Sequence, residues 1–233
     1  MNYCSRQEAK KQILDARSLT FLTGAGISTP SGIPDYRSLK GVYQGMDAPE
    51  YLLSRECLEN EPQKFYDFVM QLYHPTAKPN IIHQKIAMLS NEKDVHVVTQ
   101  NIDGLHEKAG TPHCTNFHGT LYACTCHKCG EAVAWQSYIQ SDCHAVCGGQ
   151  IRPNVVLYGE GFQETIVQKA MQAVAQADLL VIVGTSFQVH PFCDLIHYKK
   201  ASADCLVINQ TEIYLPISHH LLQEDASHVF AEL

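Results

Sequence analysis

Apolar residues fall along this chain in two alternating rhythms. Between residues 5 and 17, Ala9, Ile13, Leu14 and Ala16 recur among charged neighbours and predict an amphipathic helix, which leads into an apolar run from Leu19 to Thr23 read as a strand. Helical intervals return from Ala48 to Tyr73, with Leu52, Leu53, Cys57, Leu58, Phe65, Phe68, Val69 and Leu72, interrupted by Pro49 and Pro62; this predicts a small helical module. A helix over Ile82 to Leu89 precedes a strand from Val95 to Thr99. A further strand from Ile151 ends in a glycine turn at Gly159, and a helix follows from about residue 164 to 177. Leu179 to Val183 is a continuous apolar run of the kind buried on both faces of a parallel sheet. A helix over about 192 to 200 and a strand from Cys205 to Ile208 complete the series, and the mixed C-terminal stretch is expected to pack back on the sheet.

Strands alternating with helices, each strand ending in small or polar residues, specify an α/β fold: a Rossmann-like, doubly wound parallel sheet. The sheet domain is expected over 1–40, 77–120 and 152–233. It is interrupted by the helical module at 41–76 and a zinc-binding module at 121–151, which together make a smaller domain.

Composition narrows the class. With 233 residues and 45% apolar content the chain can bury a sizeable core, and a formal charge of −7 disfavours a nucleic-acid surface. No apolar run reaches the roughly 20 residues that span a bilayer, and the first residues lack a signal-peptide core, so a cytoplasmic protein is expected. Among ten cysteines, Cys126-x2-Cys129 and Cys143-x3-Cys147 form two knuckles separated by 13 residues, suited to tetrahedral thiolate coordination of zinc. Cys124, His127 and His144 are possible substitutes within that set; the four paired cysteines are assigned, as a closed structural site. Cys4, Cys57, Cys114, Cys193 and Cys205 read as core thiols.

Chemistry concentrates where strands end. Gly24-Ala25-Gly26 after the first long strand fits either a tight strand-to-helix turn or a phosphate cradle, and it lacks the third glycine of the dinucleotide fingerprint. Gln100-Asn101-Ile102-Asp103 follows the next strand, where open α/β sheets bind ligands, although such a polar turn also caps helices.

These segments lie in an ordered series: GAGIS (24–28), GIPDYR (32–37), TQNIDGLH (99–106), FHGT (117–120), the cysteine pairs, RPNVVLYGE (152–160) and GTSFQVHP (184–191). The series spans nearly the whole chain and resembles the sirtuin family of NAD-dependent protein deacylases. The resemblance implies NAD as a co-substrate, with Gly24, Ala25 and Ser28 against the pyrophosphate and Gly184, Thr185, Ser186 and Asn209 on the adenosine side. It places Asp35, Tyr36 and Arg37 at the nicotinamide ribose and phosphates, with tyrosine at 36 where the family commonly has phenylalanine. Gln100, Asn101, Ile102 and Asp103 would surround nicotinamide and its ribose, Asn101 and Asp103 also serving catalysis. His118 would be the general base, because an imidazole near neutrality can take a proton from a ribose hydroxyl.

Val156 and Tyr158 would hold the acyl-lysine, on an unpaired strand edge that accepts an acylated protein or peptide by β-addition. Tyr43 matches a tyrosine that, in members preferring acidic acyl groups, works with an arginine; Gln44-Gly45-Met46 supplies no arginine, so a neutral acyl group is favoured. The implied activity is protein-lysine deacetylation that yields nicotinamide and O-acetyl-ADP-ribose. The alternatives are protein ADP-ribosyl transfer and a catalytically silent, NAD-responsive binding module.

Overall fold

In a computed structural model, which describes residues 2–35 and 47–233, a parallel sheet organises the larger domain. The chain enters through β1 (Asn2–Tyr3) and α1 (Arg6–Asp15), which Ser5 and Glu8 start with a reciprocal capping box. β2 (Ser18–Thr23) follows, and then two short 3-10 turns, Ala25–Ile27 and Thr29–Ser31. The helical module contains α2 (Pro49–Leu52), α3 (Arg55–Asn60) and α4 (Pro62–Leu72), the first and third opened by prolines at positions where a helix needs no N–H. Next come α5 (Ile81–Leu89), β3 (Asp94–Thr99), α6 (Leu105–Lys108) and β4 (Cys114–Asn116). The cysteine-rich module carries β5 (Gly119–Cys126), β6 (Ala132–Val133), α7 (Trp135–Gln140) and β7 (Ile151–Val155). The chain closes with α8 (Glu164–Gln176), β8 (Leu179–Val183), a 3-10 segment Phe192–Tyr198, β9 (Asp204–Asn209), β10 (His220–Gln223) and α9 (Ala226–Ala231).

The described strands of the main sheet run in the order β1-β10-β9-β8-β2-β3-β4, every pair parallel. Alternation along β8 divides its side chains between two cores. Leu179, Val181 and Val183 join Ile13, Ile86, Val229 and Phe230 on one face, while Leu180 and Ile182 join Ala173, Val174, Phe192 and Leu195 on the other. Because the chain winds outward from β2 through β3 and β4, then returns through β8, β9 and β10, the order reverses between β2 and β8. Open α/β sheets form their ligand crevice at such a switch point, beyond the carboxyl ends of the strands.

The two insertions share a third core. Leu52, Phe65, Phe68 and Val69 from the helices pack on Leu121, Tyr138, Ile151 and Val155 from the cysteine-rich module, so both make one lobe. Burial of each such large side chain contributes about 1.5–3 kcal/mol.

Two expectations shift. The strand from Ile151 does not begin the returning part of the main sheet: β7 ends at Val155 and pairs antiparallel with β5 in a three-stranded sheet ordered β6-β5-β7. Pro153, which cannot donate to a ladder, suits this edge position and would be out of place in a central parallel strand. The predicted helix over 192 to 200 is a 3-10 segment. Among described helices none is long and apolar enough to cross a membrane.

Candidate active site

The turns after β2 and β8 are fitted into each other. Gly26 N–H donates to the Gly184 carbonyl (2.8 Å) and Gly24 N–H to that of Val183 (3.2 Å). A Cβ on Gly24 would stand 2.6 Å from Thr185 Cβ, and one on Gly26 2.9 Å from Gly184 Cα. These glycines are therefore required by the contact between two loops, before any ligand is considered.

A cavity of about 660 Å³ opens beside this junction, between the sheet domain and the smaller lobe. Ala25, Ser28 and Asp35 line it from the β2 side; Gln100, Asn101, Ile102 and Asp103 from the end of β3; Gly184, Thr185 and Ser186 from the end of β8. His118, Val156 and Tyr158 complete the wall toward the lobe. Two expected NAD-binding residues lie elsewhere. Gly24 is buried in the loop junction, and Asn209, at the end of β9, turns its amide back to the Thr211 carbonyl (2.9 Å). Tyr36, Arg37 and Tyr43 fall outside the described residues.

The polar groups around the cavity hold one another in place. Ser28 Oγ donates to Asp103 Oδ2 (2.7 Å), and Asn101 Nδ2 donates to Ser28 Oγ (3.1 Å) and to the Gly24 carbonyl (3.0 Å). Asp103 Oδ1 accepts from the N–H of Leu105 (2.9 Å), the first residue of α6, whose N-cap is Gly104. Burial raises the Asp103 carboxyl above its usual range, against the lowering effect of the Ser28 and Leu105 hydrogen bonds. Thr185 Oγ1 donates to Gln100 Oε1 (2.9 Å) and accepts from Phe187 N–H (3.0 Å), which steadies Phe187 at its left-handed φ of 52°. The Gln100 amide nitrogen is buried beside the cavity without a partner among the described residues, a donor suited to a ligand oxygen.

His118 sits among the rings of Phe117, Phe162 and Phe192, with its Nδ1 3.1 Å from the Gln100 carbonyl. A carbonyl can only accept, so Nδ1 carries the proton and Nε2 holds the basic lone pair. The next residue must be glycine: a Cβ at Gly119, φ 79°, would lie 2.0 Å from the Asn154 carbonyl oxygen of the adjacent β7.

The loop carrying Val156 and Tyr158 is clamped by Arg152. This buried guanidinium donates twice to Glu160, at 2.5 and 3.1 Å, and to the Val155 carbonyl, while Glu160 accepts from Leu157 N–H (3.0 Å). Burial raises the Glu160 carboxyl and the ion pair with Arg152 more than offsets this, so it stays below its usual range. The expected unpaired edge is not available at Tyr158. Its N–H donates to the Leu53 carbonyl (3.0 Å) and its carbonyl accepts from Arg55 N–H (2.9 Å), because the link between α2 and α3 crosses here as a parallel bridge.

In the knuckles, one donor atom each from Cys126, Cys129, His144 and Cys147 lies within 4.8 Å of the others. His144 Nδ1 is 3.4 Å from Cys129 Sγ and 3.3 Å from Cys147 Sγ. Cys143, assigned as the fourth ligand, is exposed and outside this group. The pairing that converges is therefore His144-x2-Cys147, with the same two-residue spacing as Cys126-x2-Cys129, and three thiols with one imidazole fit a tetrahedral structural zinc. Cys124 is buried against Tyr73 in the lobe core.

Asn80 gave no sequence signal beyond that of a helix cap. Its Oδ1 caps α5 through Ile82 N–H (2.9 Å), while its Nδ2 donates to the Ile27 carbonyl and Ser31 Oγ, both at 2.8 Å, tying α5 to the turn after β2.

A doubly wound sheet with a cleft at its switch point, faced by a helical and cysteine-rich lobe, is the architecture of a protein that binds a ligand between two lobes. Residues 24–191 match the sequence model of the Sir2 family. The chain is 59% identical over 233 residues to an NAD-dependent protein deacetylase of Enterococcus faecalis, covering 100% of this chain and 98% of that one. It is 52% identical over 225 residues to one of Listeria innocua, covering 96% and 98%. Among solved structures, a Sir2 homologue in complex with NAD superposes with a TM-score of 0.89 at 30% identity, covering 99% of this chain and 93% of that chain. A Sir2 structure bound to a propionylated peptide gives 0.86 at 28% identity, covering 98% and 97%. The chain belongs to the Sir2 family.

Proposed function

We propose that this protein is an NAD-dependent protein-lysine deacetylase that binds NAD and an acyl-lysine peptide in the cleft between its lobes. Net, acetyl-lysine, NAD and water give lysine, nicotinamide and O-acetyl-ADP-ribose. The bond from ribose to nicotinamide breaks and the acyl oxygen bonds to the anomeric carbon; a ribose hydroxyl then adds to the acyl carbon, and water adds to the same carbon as its bond to the lysine nitrogen breaks, releasing the lysine amine and leaving the acetyl ester on ribose. His118 Nε2 accepts that hydroxyl proton, Nδ1 being held by the Gln100 carbonyl. Asn101 and Asp103, fixed through Ser28, orient the reacting ribose and nicotinamide, while Ala25, Gly184, Thr185 and Ser186 border the remainder of NAD. The buried amide nitrogen of Gln100 supplies a donor to NAD.

The observation that carries the reading is the meeting of His118, Asn101, Asp103 and the two strand-end turns on one cavity. The deacetylase relatives point the same way. Val156 and Tyr158 border the acyl-lysine through their side of the cavity, with neutral acyl groups preferred. Cys126, Cys129, His144 and Cys147 hold one structural zinc that fastens the lobe, and no step of the reaction passes through it.

Product analysis by mass spectrometry tests the assignment. The expected result is free lysine peptide with equimolar nicotinamide and O-acetyl-ADP-ribose. ADP-ribose attached to protein, with the acetyl peptide intact, would replace this reading by ADP-ribosyl transfer.

A further inference from the structure

The loop over 184–191 borders the cleft through Val189 and His190 among others, and the 3-10 segment Phe192–Tyr198 follows. Phe192, Leu195 and Ile196 of that segment are buried in the sheet domain, and this leaves Cys193 and Asp194 toward the surface beside His190. His190 Nδ1 lies 2.8 Å from Asp194 Oδ2 and 3.4 Å from Cys193 Sγ, and one donor atom from each residue lies within 4.8 Å of the other two. His190 is 73% exposed in its side chain and also lines the cleft, so the group stands on the cleft rim.

We propose that His190, Cys193 and Asp194 form a second metal site, for a borderline divalent ion such as zinc, separate from the knuckles of the smaller lobe. Imidazole nitrogen, thiolate and carboxylate are a donor set that favours zinc or cobalt over magnesium or calcium, which prefer oxygen alone. The thiolate and carboxylate together neutralise a divalent cation, and the thiol proton leaves to solvent on binding. Three protein ligands leave one tetrahedral position for water or another ligand, the arrangement of an exchangeable site rather than a closed structural one. The reading of His190 and Asp194 as an ordinary surface ion pair, worth no more than about 1 kcal/mol, gives Cys193 no part. Cys193 is thus the residue on which the two readings part.

Because Gln188, Val189 and His190 border the same cleft, an ion that ties His190 to the 3-10 segment fixes this part of the rim. Added zinc is then a reversible inhibitor of the reaction. This consequence rests on the proposed function; the binding of the ion does not.

Cobalt(II) titrated into the purified protein with its own zinc retained tests the binding directly. The wild type is expected to take one more cobalt than Cys193→Ser, with a thiolate-to-cobalt charge-transfer band in the near ultraviolet that Cys193→Ser lacks. Asp194→Asn, a substitution at a partly exposed position, is expected to shift the titration to higher cobalt concentration and serves if Cys193→Ser folds poorly. The same stoichiometry and band in Cys193→Ser, or an unshifted titration in Asp194→Asn, overturns the site. In the deacylation assay, zinc is expected to inhibit the wild type and to lose that effect in Cys193→Ser; equal inhibition of both overturns the link to the cleft. A protein without deacylase activity would leave the cobalt result standing, so the two claims fail separately.

Discussion

At the residue scale, two buried imidazoles set the response of the sheet domain to acid. His83 and His106 meet edge to face, 4.9 Å between centroids; neither His83 nitrogen has a partner among the described residues, and His106 Nε2 is 3.1 Å from Thr23 Oγ1. Burial pushes the His83 ring down to about 4 and His106 well below its ordinary value, His83 adding to the second shift. Both folded-state values lie below the unfolded value of about 6.5, so the native state resists protonation. Their contribution is complete above about pH 6.5 and is lost as pH falls toward 4. Urea unfolding is expected to show a loss of about 1 kcal/mol per histidine between roughly pH 7 and 5.5. His83→Leu is expected to flatten that dependence; an unchanged slope would contradict it. The knuckles give a second prediction, read by metal analysis of purified variants. Cys143→Ser keeps about one zinc per chain, whereas His144→Ala or Cys147→Ser loses it. Zinc loss in Cys143→Ser with retention in His144→Ala would restore the four-cysteine assignment. The paired spacing in the sequence shows that ligands cluster here; which of two adjacent residues turns inward depends on the backbone path from Asp142 to Gly149 and is not written in the spacing.

At the scale of elements, β2, β3, β8 and β9 were legible because runs buried on both faces have few alternatives. The short strands β1, β4 and β10 were not, since two to four residues carry no period and exist only because a neighbouring strand offers hydrogen-bonding groups. Tertiary contact likewise decides β7, where Arg152 and Pro153 interrupt the strand pattern and Gly119 admits the neighbouring backbone. Asn80 joins α5 to the turn bordering the cleft, so loss of its side chain acts on two elements. Asn80→Ala is expected to lower unfolding stability by about 1 kcal/mol, the usual value of a helix cap, and to raise the KM for NAD with a smaller change in kcat. Lost stability with an unaltered KM would confine Asn80 to capping.

At the scale of the whole molecule, one arrangement makes the cleft: a parallel sheet whose reversal point supplies two interlocked turns, and a lobe from two separate insertions that faces them. Sequence order alone located most cavity-lining residues, because strand ends of such a sheet converge; what it did not show is that Gly24 also packs against Thr185 and that the Asn209 amide turns back to the Thr211 carbonyl, contacts that depend on neighbouring loops. His118 is where sheet, lobe and proposed chemistry meet, held by the Gln100 carbonyl and three aromatic rings. The most direct test is His118→Ala, with NAD and acetyl-lysine peptide binding measured by calorimetry and turnover by mass spectrometry on the same preparation. The account predicts that both ligands still bind while turnover falls by about 10²- to 10⁴-fold, as for loss of a general base. Turnover equal to that of the wild type would contradict it.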